Sequence, residues 1–150
     1  IGYSAFRICS GLTSIVVAEG NKVYHSFKNC LIETQRKTLI LGCNNSEIPL
    51  DGSVTSIGDY AFTGCSSLTS ITIPDGVTSI GDYAFSGCSG LTSITIGNGI
   101  TSIGYYAFYG CSSLTSITYL GSMAQWKAIS IPGSIGSGFT VKCTDGDIQI

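Results

Sequence analysis

Hydrophobic and polar positions repeat along this chain with a period of 23 residues. Three consecutive units cover residues 54–76, 77–99 and 100–122. They read VTSIGDYAFTGCSSLTSITIPDG, VTSIGDYAFSGCSGLTSITIGNG and ITSIGYYAFYGCSSLTSITYLGS. A fixed period of this length is typical of a repeat architecture, because one unit cannot bury its apolar face alone and stacked units cover one another.

Each unit contains two short stretches in which apolar and polar residues alternate. The longer stretch, with Leu68, Ile71 and Ile73 on one face, predicts a strand, and a shorter apolar stretch ends at Ile80. Residues 82–85 lie beyond the shorter stretch and could form one helical or 3₁₀ turn. Identical side chains of stacked units would lie about 4.8 Å apart, so we expect internal ladders of isoleucine and phenylalanine.

The N-terminal third carries the pattern incompletely. Residues 1–20 repeat the unit from its Ile-Gly onward and place Phe6 at the position of Phe62, so they are interpreted as a truncated first repeat. Residues 21–53 are interpreted as one repeat with an insertion of about ten residues. Within it, LIE, TQRK and TLIL predict two short strands around a polar turn.

The C-terminal end departs from the repeat and predicts a cap. Residues 123–150 start like a further unit, with the bulkier Met123 and Trp126 at apolar positions. The segments TVKC and DIQI around Asp145-Gly146 then predict a hairpin. Such a hairpin would cover the open end of the stack and the edge of the last strand. We therefore expect a single domain of about five turns plus a C-terminal hairpin cap.

The unit IGxxAFxGCxxLTSITIP resembles the BspA-like leucine-rich repeats of surface proteins from host-associated bacteria and some protozoan parasites. The resemblance covers residues 1–20 and 54–122 closely. It implies a β-rich leucine-rich-repeat solenoid, right-handed and curved, that serves as a surface or secreted binding or adhesion module. Gly76 and Gly99 stand where the general pattern has Asn or Cys, so we expect no internal Asn ladder. The resemblance names no ligand, because a fold does not fix a function.

Composition narrows the classes of partner. Only 11% of the residues are charged, the net charge is -2, and no basic run occurs, so we expect no nucleic-acid partner. The chain is 43% hydrophobic, but Ser, Thr and Gly interrupt the apolar residues, so no membrane insertion is predicted. The sequence opens at Ile1 without the features of a signal peptide, and we expect any such peptide to have been removed.

The seven cysteines are interpreted mainly as core residues. Cys9, Cys65, Cys88 and Cys111 recur once per turn beside the phenylalanine, where a small apolar side chain would pack as a buried free thiol. Disulfides between adjacent turns remain an alternative, because the spacing of the turns suits them. A bridge between Cys30 and Cys43, which flank the predicted hairpin, is a further alternative.

The sequence offers little material for catalysis. His25 is the only histidine and no CxxC occurs, so neither a zinc site nor a Ser/His or Cys/His nucleophile is expected. Asp59 and Asp82 occupy equivalent positions one turn apart and could form a carboxylate pair, but solvated turn residues are the favoured interpretation. We predict no enzyme activity, no catalytic or metal site and no cofactor.

The last full unit suggests a binding site. Tyr105 replaces the aspartate of the earlier units and Tyr109 replaces Thr63 or Ser86, both beside Tyr106. Exposed tyrosines are favoured in binding sites for proteins and sugars. The alternative is that they pack against the cap. If the tyrosines bind a ligand, serine at both positions weakens ligand binding and leaves the melting temperature unchanged. If they pack against the cap, serine at both positions lowers the melting temperature.

Two further surfaces are candidates for contact. The outward face of the longer strands would be neutral and polar, with serine and threonine rows formed by Ser70, Thr72, Ser93, Thr95, Ser116 and Thr118. The hairpin insertion carries basic residues at Lys28, Arg36 and Lys37, with Lys22 shortly before it. These could meet an acidic partner, although solvation of a protruding turn explains them as well.

The combined interpretation is a non-enzymatic surface or secreted module that binds a protein or glycan ligand, with host extracellular matrix as a candidate source. We expect a monomer. The alternative is a structural spacer or a self-associating stalk, in which the N-terminal turn stacks end to end on another repeat. An enzyme with a site in the insertion is the third and weakest possibility.

Overall fold

The computed structural model describes residues 1–2 and 5–150. These form a β-solenoid of about four turns with a spacing of about 23 residues. The strands are β1 (Tyr24–Phe27), β2 (Cys30–Glu33), β3 (Thr38–Leu41), β4 (Ser56–Ile57), β5 (Ser70–Ile73), β6 (Ser79–Ile80), β7 (Ser93–Ile96), β8 (Ser102–Ile103), β9 (Ser116–Tyr119), β10 (Thr140–Cys143) and β11 (Gly146–Gln149), and the helix is α1 (Met123–Lys127). No helix in the described part of the chain has the length and apolar character needed to cross a bilayer.

Two sheets run along the solenoid. The longer strands β5, β7, β9 and β10 pair in parallel and in register, so that Ile71, Ile94, Ile117 and Val141 lie side by side. The short strands β4, β6 and β8 form the second parallel ladder, which β3 extends on the N-terminal side. Between the three regular units, paired strand residues are 23 positions apart, so each lies beside its equivalent in the next unit.

The predicted internal ladders form the core. Phe62, Phe85 and Phe108 are buried and stack with ring centroids 4.9 and 5.7 Å apart. The inward isoleucines of the longer strands are buried too, whereas the intervening serines and threonines face outward. Burial of a phenylalanine or isoleucine side chain stabilises the fold by about 1.5–3 kcal/mol, so the stack of identical faces supplies most of the stability.

The predicted short turn after each short strand is a chain of i→i+3 turns. In the second unit, Ala84, Ser86 and Cys88 donate backbone hydrogen bonds to the residues three positions earlier. The backbone amides of Tyr83 and Phe85, which lie between these donors, donate instead to carbonyl oxygens of the next unit, at 2.8 Å each. A continuous helix cannot form here, because every second amide is used between turns of the solenoid and Tyr83 has a positive φ of 54°.

The hairpin insertion is confirmed and is larger than predicted. β2 and β3 pair antiparallel around the TQRK turn, as expected, with a bulge between Leu31 and Ile32. β1 adds a third antiparallel strand, which the sequence pattern did not indicate. β3 then pairs in parallel with β4, so the insertion is continuous with the sheet of short strands.

Residues 1–20 differ from the predicted first repeat. Phe6 is 43% exposed, while its equivalents are buried, and Cys9 is exposed, so the expected burial of this thiol is wrong. No strand lies within the described residues of this segment, because its amides bond to side chains instead of to a ladder: Ile15 donates to Asn29 and Val17 donates to Ser26. The solenoid has about four turns instead of the five expected.

The predicted C-terminal cap is present. β10 pairs with β9 and with β11, so the hairpin covers the edge of the last long strand. Helix α1 begins at a capping box formed by Ser122 and Gln125, and it places Trp126 in the core against Tyr119. On the side of the i→i+3 turns, the carbonyl oxygens of Ser134 and Ile135 accept the backbone amides of Tyr106 and Phe108, which a further unit would otherwise bind.

Candidate functional site

A column of tyrosines runs along the turn side of the solenoid. Tyr60 and Tyr83 stack with ring centroids 5.1 Å apart at an interplanar angle of 2°, and Tyr106 follows at 5.6 Å. All three have left-handed backbones, with φ of 59°, 54° and 51°. A left-handed conformation costs a residue with a Cβ about 1–2 kcal/mol, so the stacked rings must offset a cost that glycine would avoid. Strained residues of this kind cluster at functional sites.

The column ends in a group of three rings, which we call the tyrosine cluster: Tyr105, Tyr106 and Tyr109. The outer two rings meet Tyr106 edge to face, at centroid distances of 4.9 and 5.3 Å. Tyr105 is 42% exposed and Tyr109 is 59% exposed. Tyr105 also touches the cap, because a Cβ at Gly133 would lie 2.5 Å from its ring. Tyr105 thus combines cap packing with an exposed face, whereas Tyr109 is mainly exposed.

Carboxylates accompany the tyrosine column. Asp59 and Asp82 are both exposed, and they occupy the position of Tyr105 in the two preceding units. Asp59 accepts the backbone amide of Asp82 at 2.8 Å, and Asp82 accepts that of Tyr105 at 2.7 Å. Each carboxylate therefore ties its turn to the next one and stays in solvent. This geometry agrees with turn residues and gives neither group the burial that a general acid needs.

A cation already lies on the column at its N-terminal end. The guanidinium carbon of Arg7 is 4.8 Å from the centroid of the Tyr60 ring. This distance lies within the range of cation–π interactions. Sequence reasoning missed the contact, because Arg7 belongs to the irregular N-terminal segment and no spacing relates it to Tyr60.

The serine and threonine rows lie on the outer face of β5, β7 and β9. Ser70, Thr72, Ser93 and Thr118 are exposed, and Thr95 and Ser116 are half-buried. A second polar surface lies along the short strands, where Ser56, Ser79, Ser102 and Ser130 line a shallow groove of about 440 Å³. The hydroxyls of Ser56 and Ser79 are 2.8 Å apart. The sequence signal for Ser56, Ser79 and Ser102 was the TSIG stretch at the period of 23, whereas Ser130 lies outside those stretches.

The basic residues of the hairpin do not form one patch. Lys28 lies in the turn between β1 and β2, where its ammonium is 2.6 Å from the Glu47 carboxylate. Arg36 and Lys37 lie in the turn at the other end of β2, and Arg36 is 3.5 Å from Glu33. Nearby acids thus partly neutralise both ends of the hairpin. Lys22 is exposed just before β1.

Three cysteines form a thiol ladder inside the turns: Cys65, Cys88 and Cys111, all buried as predicted. The thiols of Cys88 and Cys111 donate to backbone carbonyls of the preceding turn, at 3.1 Å each. Burial raises the pKa of Cys65 to about 12 and that of Cys111 to about 11, and it raises the pKa of Cys88 as well. These thiols are therefore poor nucleophiles at neutral pH.

The remaining chemistry-bearing residues are dispersed. Cys30 and Cys43 are buried free thiols, so the alternative of a bridge between them is not realised. His25 lies on β1 with its Nδ1 2.8 Å from the Thr34 hydroxyl. Among the described residues, no group of three or more His, Cys, Asp or Glu side chains could hold a metal ion.

Comparison with known proteins agrees with this architecture. The family model for the BspA-type leucine-rich repeat region matches residues 36–133 in six copies. A leucine-rich repeat protein from Bacteroides capillosus is 24% identical with a TM-score of 0.66, and the match covers 81% of this chain and 99% of that one. A leucine-rich repeat protein from Eubacterium ventriosum is 23% identical with a TM-score of 0.50, covering 75% of this chain.

A leucine-rich cell surface protein from Faecalibacterium prausnitzii is 26% identical, with a TM-score of 0.46 and 87% of this chain covered. The chain spans 48% of that protein and 37% of the Eubacterium one. No match was found among curated proteins. These likenesses concern the fold and leave the ligand open.

Proposed function

Because the chain belongs to the BspA-type leucine-rich repeat family, we propose that it is a non-enzymatic binding module of a surface or secreted protein. The ligand is a protein or a glycan, and host extracellular matrix is the first source to test. The tyrosine cluster is the proposed contact surface. Its supporting observation is that two large aromatic rings remain 42% and 59% exposed at the place where the third unit departs from the other two.

The rigid frame of the repeats favours this role. Each tyrosine of the cluster is held by backbone hydrogen bonds or ring contacts to its neighbours, so little side-chain freedom is left to lose on binding. A pre-ordered aromatic surface avoids an entropic cost of about 0.5–1.5 kcal/mol for each side chain that binding would otherwise immobilise. The neutral serine and threonine rows offer hydrogen bonds from the same frame, but they lack large anchors.

A binding screen with two variants tests the proposal. The purified chain is applied to a panel of matrix proteins and to a glycan array, together with the variant Tyr105→Ser/Tyr109→Ser. The variant Thr95→Lys serves as the control on the serine and threonine rows. We expect a ligand that binds saturably. Its affinity should fall at least about tenfold in the tyrosine variant, which corresponds to a loss of about 1.4 kcal/mol, and should stay unchanged in Thr95→Lys. Loss in Thr95→Lys alone would move the contact surface to the sheet.

Self-association as part of a stalk is a second candidate, and exposed apolar side chains of the N-terminal segment favour it. Ile1 is 58%, Ile8 is 64% and Val16 is 83% exposed. Contiguous exposed apolar surface is a common mark of association. Sedimentation equilibrium over a range of concentrations tests this candidate. A mass that rises with concentration, and rises less in Ile8→Ser/Val16→Ser, would support the stalk, and a constant monomer mass would exclude it.

A further inference from the structure

The ends of the tyrosine column differ in what covers them. At the N-terminal end, the Arg7 guanidinium lies 4.8 Å from the centre of the Tyr60 ring. At the C-terminal end, Tyr105 and Tyr109 expose their rings. No cation lies over the tyrosine cluster within the described part of the chain. The molecule therefore shows a guanidinium on one of its own tyrosine rings, and the other end of the column offers exposed tyrosine rings without a cation from the described residues.

The charge next to the tyrosine cluster points to the same chemistry. Asp82 lies one turn before Tyr105 at the same position of the repeat, and its Oδ1 accepts the Tyr105 amide at 2.7 Å. The carboxylate is exposed and takes part in no salt bridge among the described residues. An aromatic face beside a carboxylate suits a guanidinium, which can stack on the ring and donate to the oxygens at once.

A neutral sugar fits this surface less well. Asp82, which accepts the Tyr105 amide, places a carboxylate next to the tyrosine cluster. A carboxylate only accepts hydrogen bonds. A sugar would accept hydrogen bonds from the phenol hydroxyls and donate to Asp82, but it brings no positive charge to pair with the carboxylate. An arginine side chain uses both the ring faces and the charge. Lysine offers a point charge but no planar group to stack.

We propose that the tyrosine cluster, with Asp82 beside it, binds arginine side chains on an exposed basic segment of a partner protein. This proposal rests on the proposed function and narrows its ligand to one class. The ring faces of Tyr105 and Tyr109 provide the stacking surfaces, and the Asp82 carboxylate provides the acceptor. Arg7 occupies Tyr60 in the same way, so the N-terminal end of the column is already filled by the chain itself.

The test uses a fluorescent peptide in which three arginines alternate with glycine and serine, and a second peptide in which citrulline replaces each arginine. Citrulline keeps the planar shape and removes the charge. Fluorescence anisotropy at low and high salt measures binding to the whole chain. We expect the arginine peptide to bind saturably, the citrulline peptide to bind at least about tenfold more weakly, and added salt to weaken the first.

Four variants locate the site. Tyr105→Ser/Tyr109→Ser and Asp82→Asn should each weaken the arginine peptide, although the asparagine oxygen can still accept the Tyr105 amide. Tyr105→Phe/Tyr109→Phe keeps the ring faces and should retain binding, which a ligand held by the phenol hydroxyls would lose. Leu120→Ser, which removes a 46% exposed apolar side chain directly after β9, is the matched control and should bind normally.

Three outcomes would overturn the proposal. Equal binding of both peptides, absence of arginine-peptide binding, or an equal loss in Leu120→Ser would each exclude arginine recognition by the tyrosine cluster. If the arginine peptide does not bind but a glycan or an uncharged protein binds and is lost in Tyr105→Ser/Tyr109→Ser, the arginine proposal fails while the proposed function stands. If nothing in the screen binds and the peptide does not bind either, both fail.

Discussion

The phenylalanine ladder gives the sharpest prediction on stability. Phe85 is fully buried between Phe62 and Phe108, with nearly parallel rings at 4.9 and 5.7 Å. Replacement of a buried phenylalanine by alanine costs about 3–5 kcal/mol, because apolar contact is lost and a cavity remains. Two ring pairs break at the same time, and such pairs contribute about 0.5–1.5 kcal/mol each beyond their buried area. We therefore expect Phe85→Ala to lie in the upper part of that range.

Urea unfolding followed by circular dichroism measures this loss. Phe6→Ala is the matched control, because Phe6 occupies the same repeat position but is 43% exposed, and we expect it to cost less than about 1 kcal/mol. The slope of the free energy of unfolding against urea must be compared as well, since a stack of repeats can lose cooperativity when a middle turn is weakened. A loss below about 1 kcal/mol for Phe85→Ala, at an unchanged slope, would refute the ladder as the main source of stability.

Two further predictions concern the turns. A Cβ at Gly81 would lie 2.6 Å from the Asp59 amide nitrogen and 2.7 Å from the Gly58 carbonyl carbon, so Gly81→Ala should lower the free energy of unfolding by about 1–3 kcal/mol. Gly76→Ala, whose Cβ would meet nothing within 4 Å, should change it by less than about 0.5 kcal/mol; equal effects in urea unfolding would contradict this. The raised pKa values of the thiol ladder predict that the free energy of unfolding falls as pH rises from 9.0 to about 12, because the thiols of the unfolded chain ionise at a lower pH than the buried ones. The fall is up to about 1.4 kcal/mol per pH unit for each thiol. Urea unfolding at pH 8 and pH 10 measures this fall, and a variant with alanine at all three ladder positions should lose most of it; the same fall in that variant would exclude the thiols as its cause.

The repeat made most of the fold predictable. Once the period aligned Ile71 with Ile94 and Ile117, parallel pairing in register was the one arrangement that buried all equivalent faces together. The N-terminal segment shows the limit of that reasoning. Phe6 fits the pattern as well as Phe85 does, but burial depends on a neighbour on both sides, and the pattern of one unit carries no information about the presence of that neighbour.

The candidate site was predictable only where it broke the repeat. Tyr105 and Tyr109 stood out because they replace small polar residues, and the structure places both against Tyr106. The left-handed backbone of the tyrosine column could not be foreseen, because aromatic residues rarely adopt it and the stacking that offsets its cost arises between turns. The Arg7 contact depends on the path of an irregular segment, which has no periodic signal.

The central claim is that the repeats supply the frame while the tyrosine cluster supplies the binding. The most direct test restores the repeat pattern in the third unit with the variant Tyr105→Asp/Tyr109→Ser, which gives it the residues of the second unit. The Kd for the ligand found in the screen and the Tm are measured on the same samples. We predict an affinity at least about tenfold weaker and a Tm within about 4 °C of the unchanged chain. Unchanged affinity would contradict the claim, and a large fall in Tm with unchanged affinity would show that the cluster serves the cap instead of the ligand.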